Sequence, residues 1–346
     1  MTVCANQAVT GGAMFTTGRD SGTENELSAL DMTVEHCLFF ENLAYFLGGV
    51  IENWDFSPIN LQLNAVDMIR NHAYFMSIGY SGMMDSVAND EGQQRTLVFN
   101  DVLIEGHGTY VGALSGILCL EPGGYVNAYL LEADGAFTNV SFTGLTIRDY
   151  VMAELPSTSA FSFAARPISL TVDGLAIENV RGYDASGING VNGACAFALS
   201  STFGHVDFVH VSIEHSGGSS ENTLGTGTVW FVGNGYNTGV PGPSAFRFRD
   251  STFVENNAAL GGAVYLSDAD ADLSLLRCSF IQNVAYRSGG AIYFEAARAG
   301  QTFMVASSWF LDNAVRPAAS SGGRNYALSI YTGMADTQAL VKFGQL

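Results

Sequence analysis

One short phrase recurs along this chain and constrains its fold more than any other feature of the sequence. It joins Phe-x-x-Asn to a later Gly-Gly-apolar-apolar, and its two clearest copies lie in residues 251–265 and 278–294. Partial or weaker copies occupy residues 37–51, 4–15, 307–323 and 66–71. A recurring unit of this size indicates a stacked-repeat architecture, in which each unit buries its apolar face against its neighbours.

The spacing of the phrase sets the length of one unit. With the phenylalanine as register mark, and apolar residues in similar contexts between the clear copies, successive marks lie 27 to 43 residues apart. The marks are Phe39, Met68, Ile104, Ile147, Ile177, Ile213, Phe253, Phe280 and Phe310. Each unit holds two or three short runs of alternating apolar residues, which are typical of strands, and no segment keeps a helical period.

These features predict an all-β fold, namely a right-handed parallel β-helix (solenoid). Its turns would lie roughly 4.8 Å apart, and the handedness follows the usual rule for parallel crossovers. Counting a partial first unit, the chain provides about ten coils. We expect them to form a single β-helix domain over residues 1–346.

The repeated residues acquire structural roles in such a coil. The predicted inward stack consists of Phe39, Phe253, Phe280 and Phe310. Each buried ring contributes roughly 2–3 kcal/mol. The predicted asparagine ladder consists of Asn42, Asn256, Asn283 and Asn313, with Asn6 and Asn71 as further members. Inward amides at a corner bond the neighbouring turn, and the Gly-Gly pairs permit positive φ or close backbone approach at a second corner.

Gly-Gly-apolar-apolar paired with Phe-x-x-Asn resembles the repeats of the chlamydial polymorphic outer-membrane proteins (Pmp). The matching segments begin at Gly11, Gly48, Gly261 and Gly289 and at Phe39, Phe253, Phe280 and Phe310. The resemblance covers roughly residues 1–51 and 250–325. Proteins of that family are autotransporters whose β-helical passenger acts as a surface adhesin. The resemblance therefore implies a β-helix that is extracellular or at the cell surface.

The strong negative charge narrows the classes of partner. With 14 basic and 33 acidic residues, the net charge is −19, which repels nucleic acid and anionic membranes and attracts basic partners or divalent cations. No apolar run of about 18 residues occurs, so no membrane-spanning segment is predicted. The 5 cysteines have no metal-binding spacing and are predicted to be small buried fillers, with a disulfide between turns as the alternative. Because the chain opens inside a repeat, we expect a segment of a longer protein, or ends that stack on other chains.

Residues 216–245 are the least repetitive stretch and are predicted to leave the coil as a loop excursion. Trp230 and Tyr236 in this stretch are candidates for stacking on a sugar. The alternative is a neutral insertion in which Trp230 is buried in a strand.

Three alternating carboxylates form a second candidate site. Asp268, Asp270 and Asp272 have a ligand chemistry that suits Ca²⁺. The alternative is a solvated acidic turn, because the glycine and glutamate of an EF-hand loop do not follow. Apart from Ca²⁺ at these aspartates, no cofactor is predicted.

Catalytic signatures are missing from the sequence. No Asp-Asp pair occurs, and Lys342 is the only lysine, which disfavours a lyase acting on acidic polysaccharide. His205, His210 and His215 are spaced by five residues and would alternate between the faces of an ideal strand, which argues against a shared metal site or a His–Asp dyad. An enzyme of this shape would need two or three carboxylates converging in one groove within about 10 Å.

We therefore expect a non-catalytic extracellular or cell-surface β-helix. It would act as a structural or adhesive rod and present loops to a protein or a glycan. One alternative is a polysaccharide-processing enzyme, either a lyase or a glycoside hydrolase. Another is the building block of an extracellular filament whose ends associate.

Overall fold

The fold consists of strands in every part of the chain that the structure describes. The computed structural model describes residues 1–10, 13–17, 30–47, 50–54, 59–73, 96–106, 118–120, 128–129, 131–132, 139–149, 151–152, 158–159, 161–164, 169–182, 194–200, 205–218, 227–232, 244–267, 271–296, 301–316, 330–334 and 340–344. These residues form 38 strands and no helix. All strand pairs are parallel, so the predicted all-β class is confirmed for this part of the chain.

A long sheet of 17 strands contributes to nearly every repeat. Its strands are Thr2–Cys4, Leu30–Phe40, Ile59–Ile69, Thr96–Glu105, Asn139–Thr143, Thr146–Arg148, Ser169–Asp173, Ala176–Glu178, His205–Val209, Ser212–Glu214, Ser244–Arg249, Thr252–Val254, Ala271–Leu276, Ser279–Ile281, Thr302–Ala306, Trp309–Leu311 and Leu340–Gly344. In the later repeats the strand is divided into two segments, and each segment pairs with its counterpart in the next repeat.

Two shorter sheets each take one strand from every later repeat, in chain order. The eight-stranded sheet comprises Leu118–Leu120, Leu131–Glu132, Phe161–Ala164, Ala194–Ser200, Gly227–Val232, Val264–Ser267, Ile292–Ala296 and Ile330–Met334. The six-stranded sheet comprises Val151–Met152, Arg181–Gly182, Gly217–Gly218, Asn257–Leu260, Val284–Ser288 and Ala314–Val315. Smaller groups are formed by Gln7–Thr10 with Leu43–Leu47 and His72–Ala73, by Met14–Thr17 with Ile51–Trp54, and by Ala128–Tyr129 with Thr158–Ser159.

One inward column runs through successive repeats of the long sheet. Its members, each paired in register with the next, are Val3, Phe39, Met68, Ile104, Ile147, Ile177, Ile213, Phe253, Phe280 and Phe310. From Phe39 onward these are the register marks set by the sequence, so the predicted alignment of the repeats is confirmed. The members from Phe39 to Phe280 are at most 1% exposed, and Phe310 is partly buried.

Ring stacking fills the interior at the C-terminal end of this column. The rings of Phe253 and Phe280 lie 4.7 Å apart and 4° from parallel, and those of Phe280 and Phe310 lie 4.8 Å apart. Phe208 and Phe248 form a similar stack at 4.5 Å in the preceding strand segments. These separations match the spacing between parallel strands, because each ring belongs to the next strand of the sheet.

Left-handed backbone conformations bend each repeat at two points. In the kink column, between the two segments of the long sheet, φ lies between 49° and 72° at His36, Ala65, Asp101, Gly144, Gly174, His210, Asp250, Arg277 and Ser307. In the corner column, φ lies between 50° and 59° at Ala5, Glu41, Arg70, Asp149, Asn179, His215, Glu255, Gln282 and Asp312. In every repeat with a buried asparagine, the left-handed residue of the corner column comes one residue before that asparagine. The sequence did not predict either column.

The Gly-Gly pairs occupy a third bend where they are described. Gly261 and Gly289 begin it with φ of 57° and 67°, as predicted. A Cβ atom on Gly289 would come within 2.3 Å of the carbonyl oxygen of Ile292, so only glycine fits there. The Gly-Gly pairs of the other motif copies, at 11–12, 48–49 and 322–323, lie outside the described residues.

Replacing Ser307 of the kink column with glycine should stabilise the protein, because a residue with a side chain is strained at a left-handed φ. Ser307 is exposed and has φ of 50°. Ser307→Gly removes a left-handed penalty of about 1–2 kcal/mol and adds a chain-entropy cost of about 0.5–1 kcal/mol. We expect the free energy of unfolding to rise by up to about 1 kcal/mol in chemical denaturation.

The matched control is a serine with ordinary strand geometry. Ser279 lies within the strand Ser279–Ile281. Ser279→Gly should lower stability by about 0.5–1 kcal/mol. The same sign of change in both variants would contradict the strain assigned to Ser307.

The predicted excursion over residues 216–245 is wrong in part. The strand Gly227–Val232 belongs to the eight-stranded sheet and pairs with Ala194–Ser200 on one side and Val264–Ser267 on the other. Its short apolar run, Val229 to Val232, is flanked in the sequence by Gly-, Ser- and Asn-rich residues that are typical of a loop. The stretches 219–226 and 233–243 lie outside the described residues.

Candidate functional site

The inward asparagines form hydrogen-bonded ladders between repeats. The Asn283 Oδ1 atom accepts from the backbone N and the Nδ2 of Asn256, at 3.1 and 3.0 Å. The Asn283 Nδ2 donates to the carbonyl oxygen of Phe253 and to Asn313 Oδ1, at 3.0 and 2.9 Å. Asn6, Asn42 and Asn71 form a second ladder of the same kind. Because their amides bond the neighbouring repeats, the asparagines serve as scaffold.

Serine takes the ladder position where asparagine is missing. Ser216 is 1% exposed, and its backbone N donates to Asn256 Oδ1 at 3.0 Å. Its hydroxyl accepts from the backbone N of Val180 at 3.1 Å. The ladder therefore extends one repeat beyond the Phe-x-x-Asn motif, which is why that motif alone did not reveal it.

Charged side chains at the bends mostly pair across neighbouring repeats. In the corner column, Arg70 lies 3.1 Å from Glu41, and His215 Nδ1 lies 3.2 Å from Glu255 Oε2. In the kink column, Arg277 donates to both oxygens of Asp250 at 2.6 and 2.7 Å and holds the pKa of that carboxyl below its usual value. Stacking the repeats thus brings opposite charges into contact without any signal in the local sequence.

One groove beside the corner column is different, because most of its polar side chains have no partner among the described residues. This corner groove has a volume of about 950 Å³ and is lined by Glu255, Asn256, Asn257, Gln282, Val284, Tyr286, Asp312 and Arg316. Three adjacent repeats contribute to it. Its size is in the range of sites that take small molecules.

The two walls of the corner groove come from the bends and from the six-stranded sheet. The bend places Glu255, Gln282 and Asp312 one residue before three buried asparagines, so their side chains project outward in a row. The opposite wall contains Tyr286 and Arg316. Asn257 and Val284, which are paired in register, line the groove between the walls.

An irregularity in strand pairing positions the aromatic side of the groove. Ala258 pairs with Ala285, but Leu260 pairs with Ser288, so the later strand holds one extra residue in this interval. Tyr286 lies in that interval and is half-buried. A β-bulge of this kind re-aims a side chain, and bulges are enriched beside functional sites.

Polar groups in the corner groove are available to a ligand. Within the described part of the chain, the side chains of Asn257, Gln282, Tyr286, Asp312 and Arg316 make no hydrogen bond or ion pair. Glu255 is the exception, because one of its oxygens contacts His215. The groove therefore presents carboxylates, amides, a phenol and a guanidinium together.

Neither of the two residues predicted to stack on a sugar is among the described residues that line the corner groove. Trp230 lies in a strand, at the register position next to Tyr265, while Tyr236 lies outside the described residues. The rings of Tyr265 and Tyr293 stack on each other at 5.1 Å, and Tyr331 pairs in register with Tyr293. Because the rings of Tyr265 and Tyr293 cover each other's faces, this pair does not offer a free aromatic face between the two rings to a sugar.

The candidate Ca²⁺ ligands are only partly described. Asp268 and Asp270 lie outside the described residues. Asp272 is half-buried, and its Oδ1 accepts from the backbone N of Thr302 at 2.7 Å. No group of three or more His, Cys, Asp or Glu residues in the described ranges could hold a metal ion. Ca²⁺ binding at this segment remains a prediction.

One expectation about histidine is wrong. His210 Nδ1 lies 2.8 Å from Asp173 Oδ1, so a His–Asp contact does form. Left-handed geometry at His210 and His215 removes the strand alternation on which that expectation depended. Both side chains of the pair are more than half exposed.

Cysteine placement agrees with the prediction at one of the three cysteines whose burial the structure describes. Cys278 is fully buried, and burial raises the pKa of its thiol to about 11, which suits an inert filler. Cys37 is partly buried, and Cys4 is exposed, so the buried-filler prediction is wrong for Cys4. All three are free thiols.

The corner groove was not predicted, although the sequence contains one signal for it. The second variable residue of Phe-x-x-Asn is Glu255, Gln282 and Asp312 in the last three copies. Register alone places these three residues in one row. No motif predicts that the opposite wall lies close to them, because that wall depends on the bulge.

Comparisons with known proteins agree with the repeat motif. Residues 277–295 match the family model described as the Chlamydia polymorphic membrane protein (Chlamydia_PMP) repeat. No curated protein and no solved structure matches the chain. Among the described residues, no helix is both long and apolar enough to cross a membrane. The matched segment includes Gln282, Val284 and Tyr286 of the corner groove, and the chain therefore carries a repeat of the chlamydial polymorphic membrane protein type.

Proposed function

We propose that this chain is a parallel β-helix that acts at a cell surface as a non-catalytic adhesive or structural rod. The coil is supported by the inward column, which keeps its register through successive repeats. It is also supported by the sheet topology. From every later repeat, the long sheet takes two strand segments, and the six-stranded and eight-stranded sheets take one strand each. The surface location is supported by the chlamydial membrane-protein repeat at residues 277–295.

The corner groove carries the adhesive part of this proposal. Its unpaired polar side chains contrast with the scaffold, where the asparagine amides bond between repeats. Elsewhere in the corner column, Glu41 and Arg70 neutralise each other. Side chains that are held by rigid strands and left without partners are suited to recognising an external ligand.

Glycoside hydrolysis is a second candidate, because the corner groove holds two carboxylates. Glu255 and Asp312 come from repeats two apart, so their Cα atoms are separated by roughly 10 Å, whereas the carboxyl groups of an inverting pair lie roughly 6.5–9.5 Å apart. Glu255 contacts His215, which belongs to the repeat on the side away from Asp312. Gln282 lies between the two in the row. These features favour binding over catalysis.

Retention of protein-coated beads on cultured cells tests the proposed function. Beads that carry the folded chain should be retained more strongly than beads that carry the same amount of thermally unfolded chain. Equal retention would contradict the adhesive role.

Release of reducing sugars from polysaccharide by the wild-type chain, lost in Glu255→Gln and Asp312→Asn, would favour the hydrolase. Concentration-dependent polymers in sedimentation would favour the filament.

A further inference from the structure

We infer that the corner groove binds an uncharged oligosaccharide that runs along the row of Glu255, Gln282 and Asp312. This inference rests on the proposed function and names the class of ligand for its groove. The groove spans three repeats, and the row offers one polar side chain from each of them in succession. A ligand with a repeating polar unit is the natural match for such a surface.

Hydrogen-bonding chemistry favours hydroxyl groups as the ligand's polar atoms. A sugar hydroxyl both donates and accepts. The carboxylates of Glu255 and Asp312 accept only, the guanidinium of Arg316 donates only, and the amides of Asn257 and Gln282 do both. Each kind of group in the groove can therefore be satisfied by a polyhydroxylated ligand, and hydrogen bonds to the charged groups are the stronger ones.

Tyr286 supplies the apolar contact that such a ligand needs. A pyranose ring has a face of C–H groups that packs against an aromatic ring, while the phenol hydroxyl reaches a polar neighbour. Tyr286 is half-buried, and no ring of the described residues stacks on it, unlike Tyr265 and Tyr293. The bulge holds it opposite the polar row, with Val284 contributing apolar surface between the walls.

The spacing of the row suits a chain of sugars. Residues at equivalent positions of neighbouring strands lie roughly 4.8 Å apart. This separation is close to the length of one pyranose unit in an extended oligosaccharide. Successive sugars can therefore meet successive side chains of the row, and a ligand of three units spans it.

Charge disfavours anionic ligands in the corner groove, and the side chains present disfavour two other classes. The groove holds two carboxylates and one guanidinium, in a chain of net charge −19, so sulfated or sialylated glycans are repelled. A divalent cation is not favoured, because the described residues contain no cluster of three potential metal-binding side chains. A basic peptide would be attracted by the net charge, but its cationic side chains only donate hydrogen bonds and would place a positive charge near Arg316. An uncharged, hydroxyl-rich chain avoids these conflicts.

An oligosaccharide array tests this inference. The wild-type chain is applied to an array carrying cellotetraose, chitotetraose, mannotetraose and other neutral chains, together with sialylated chains and heparin fragments. We expect binding to at least one neutral chain and none to the anionic ones. For that neutral chain, Tyr286→Ala and Asp312→Asn should each weaken affinity roughly tenfold or more in titration calorimetry.

Matched controls separate a groove effect from a loss of folding. Arg287→Ala changes the exposed neighbour of Tyr286 outside the groove, and Asp67→Asn changes an exposed aspartate on a distant repeat. Both should bind as the wild type does, and all variants should keep its far-ultraviolet circular dichroism. Binding to no glycan, binding to anionic glycans only, or unchanged binding in Tyr286→Ala would overturn the inference. If beads are retained on cells while the array is negative, the adhesive role stands and the glycan assignment fails.

Discussion

Phe280→Ala is expected to lower the free energy of unfolding by about 3–5 kcal/mol. Phe280 is completely buried, and its ring is stacked between Phe253 and Phe310 at 4.7 and 4.8 Å. Removing the ring forfeits its transfer from water, leaves a cavity, and exposes one face of each neighbouring ring to that cavity. Because each ring is fixed by its own strand, the column has little freedom to collapse into the space.

Chemical denaturation of the whole chain measures this cost, and Glu255→Ala is the matched control. Glu255 is half exposed and contributes one surface contact with His215, so its removal should cost less than about 1 kcal/mol. Stacked repeats need not unfold in one step, so the slope of the transition has to be compared as well as its midpoint. Equal costs in the two variants would contradict the inward assignment of Phe280.

The inward column was predictable because burial leaves a strong pattern in the sequence. Phe39, Phe253 and Phe280 recur with an asparagine three residues later, and only large apolar side chains fit their position. Even Ile147, which has no Phe-x-x-Asn motif, was aligned correctly, since the position requires an apolar residue in every repeat. Local sequence therefore contained the register.

The bends were not predictable in the same way. Left-handed φ is usually signalled by glycine or asparagine, yet Ala65, Arg70 and Glu255 adopt it here. Pairing with the repeats on both sides fixes the backbone at these positions and overrides the local preference of the residue. The strain is visible only once the strands are stacked.

The corner groove is predictable from the sequence only in part. Glu255, Gln282 and Asp312 stand at one motif position, so register alone predicts that they form a row. The groove also needs Tyr286, which reaches it because one strand holds an extra residue relative to its neighbour. A difference in length between adjacent repeats cannot be assigned to a bulge or to a loop without the pairing itself.

The second large effect is expected for Asn283→Ala, which should lower the free energy of unfolding by about 3–5 kcal/mol. Its amide takes part in four hydrogen bonds that link Asn256, Phe253 and Asn313, all in the buried interior. Alanine leaves the backbone N–H of Asn256 and the carbonyl oxygen of Phe253 without these partners. Each unsatisfied buried group costs about 1–3 kcal/mol, whereas the lost side chain itself is small.

Asn257→Ala supplies the control for this prediction, since Asn257 is partly exposed and its side chain has no partner among the described residues. Its cost should stay below about 0.5 kcal/mol, the range for surface substitutions. Hydrogen exchange locates the effect, because the amide of Asn256 should lose protection in Asn283→Ala while the distant ladder at Asn42 keeps it. If both asparagines cost the same, or if protection falls equally in both ladders, the amides do not join neighbouring repeats in the way the contacts indicate. The expected result, a loss of protection near Asn283 alone, would mean that each ladder stabilises its own stretch of repeats, as nearest-neighbour coupling in stacked units requires.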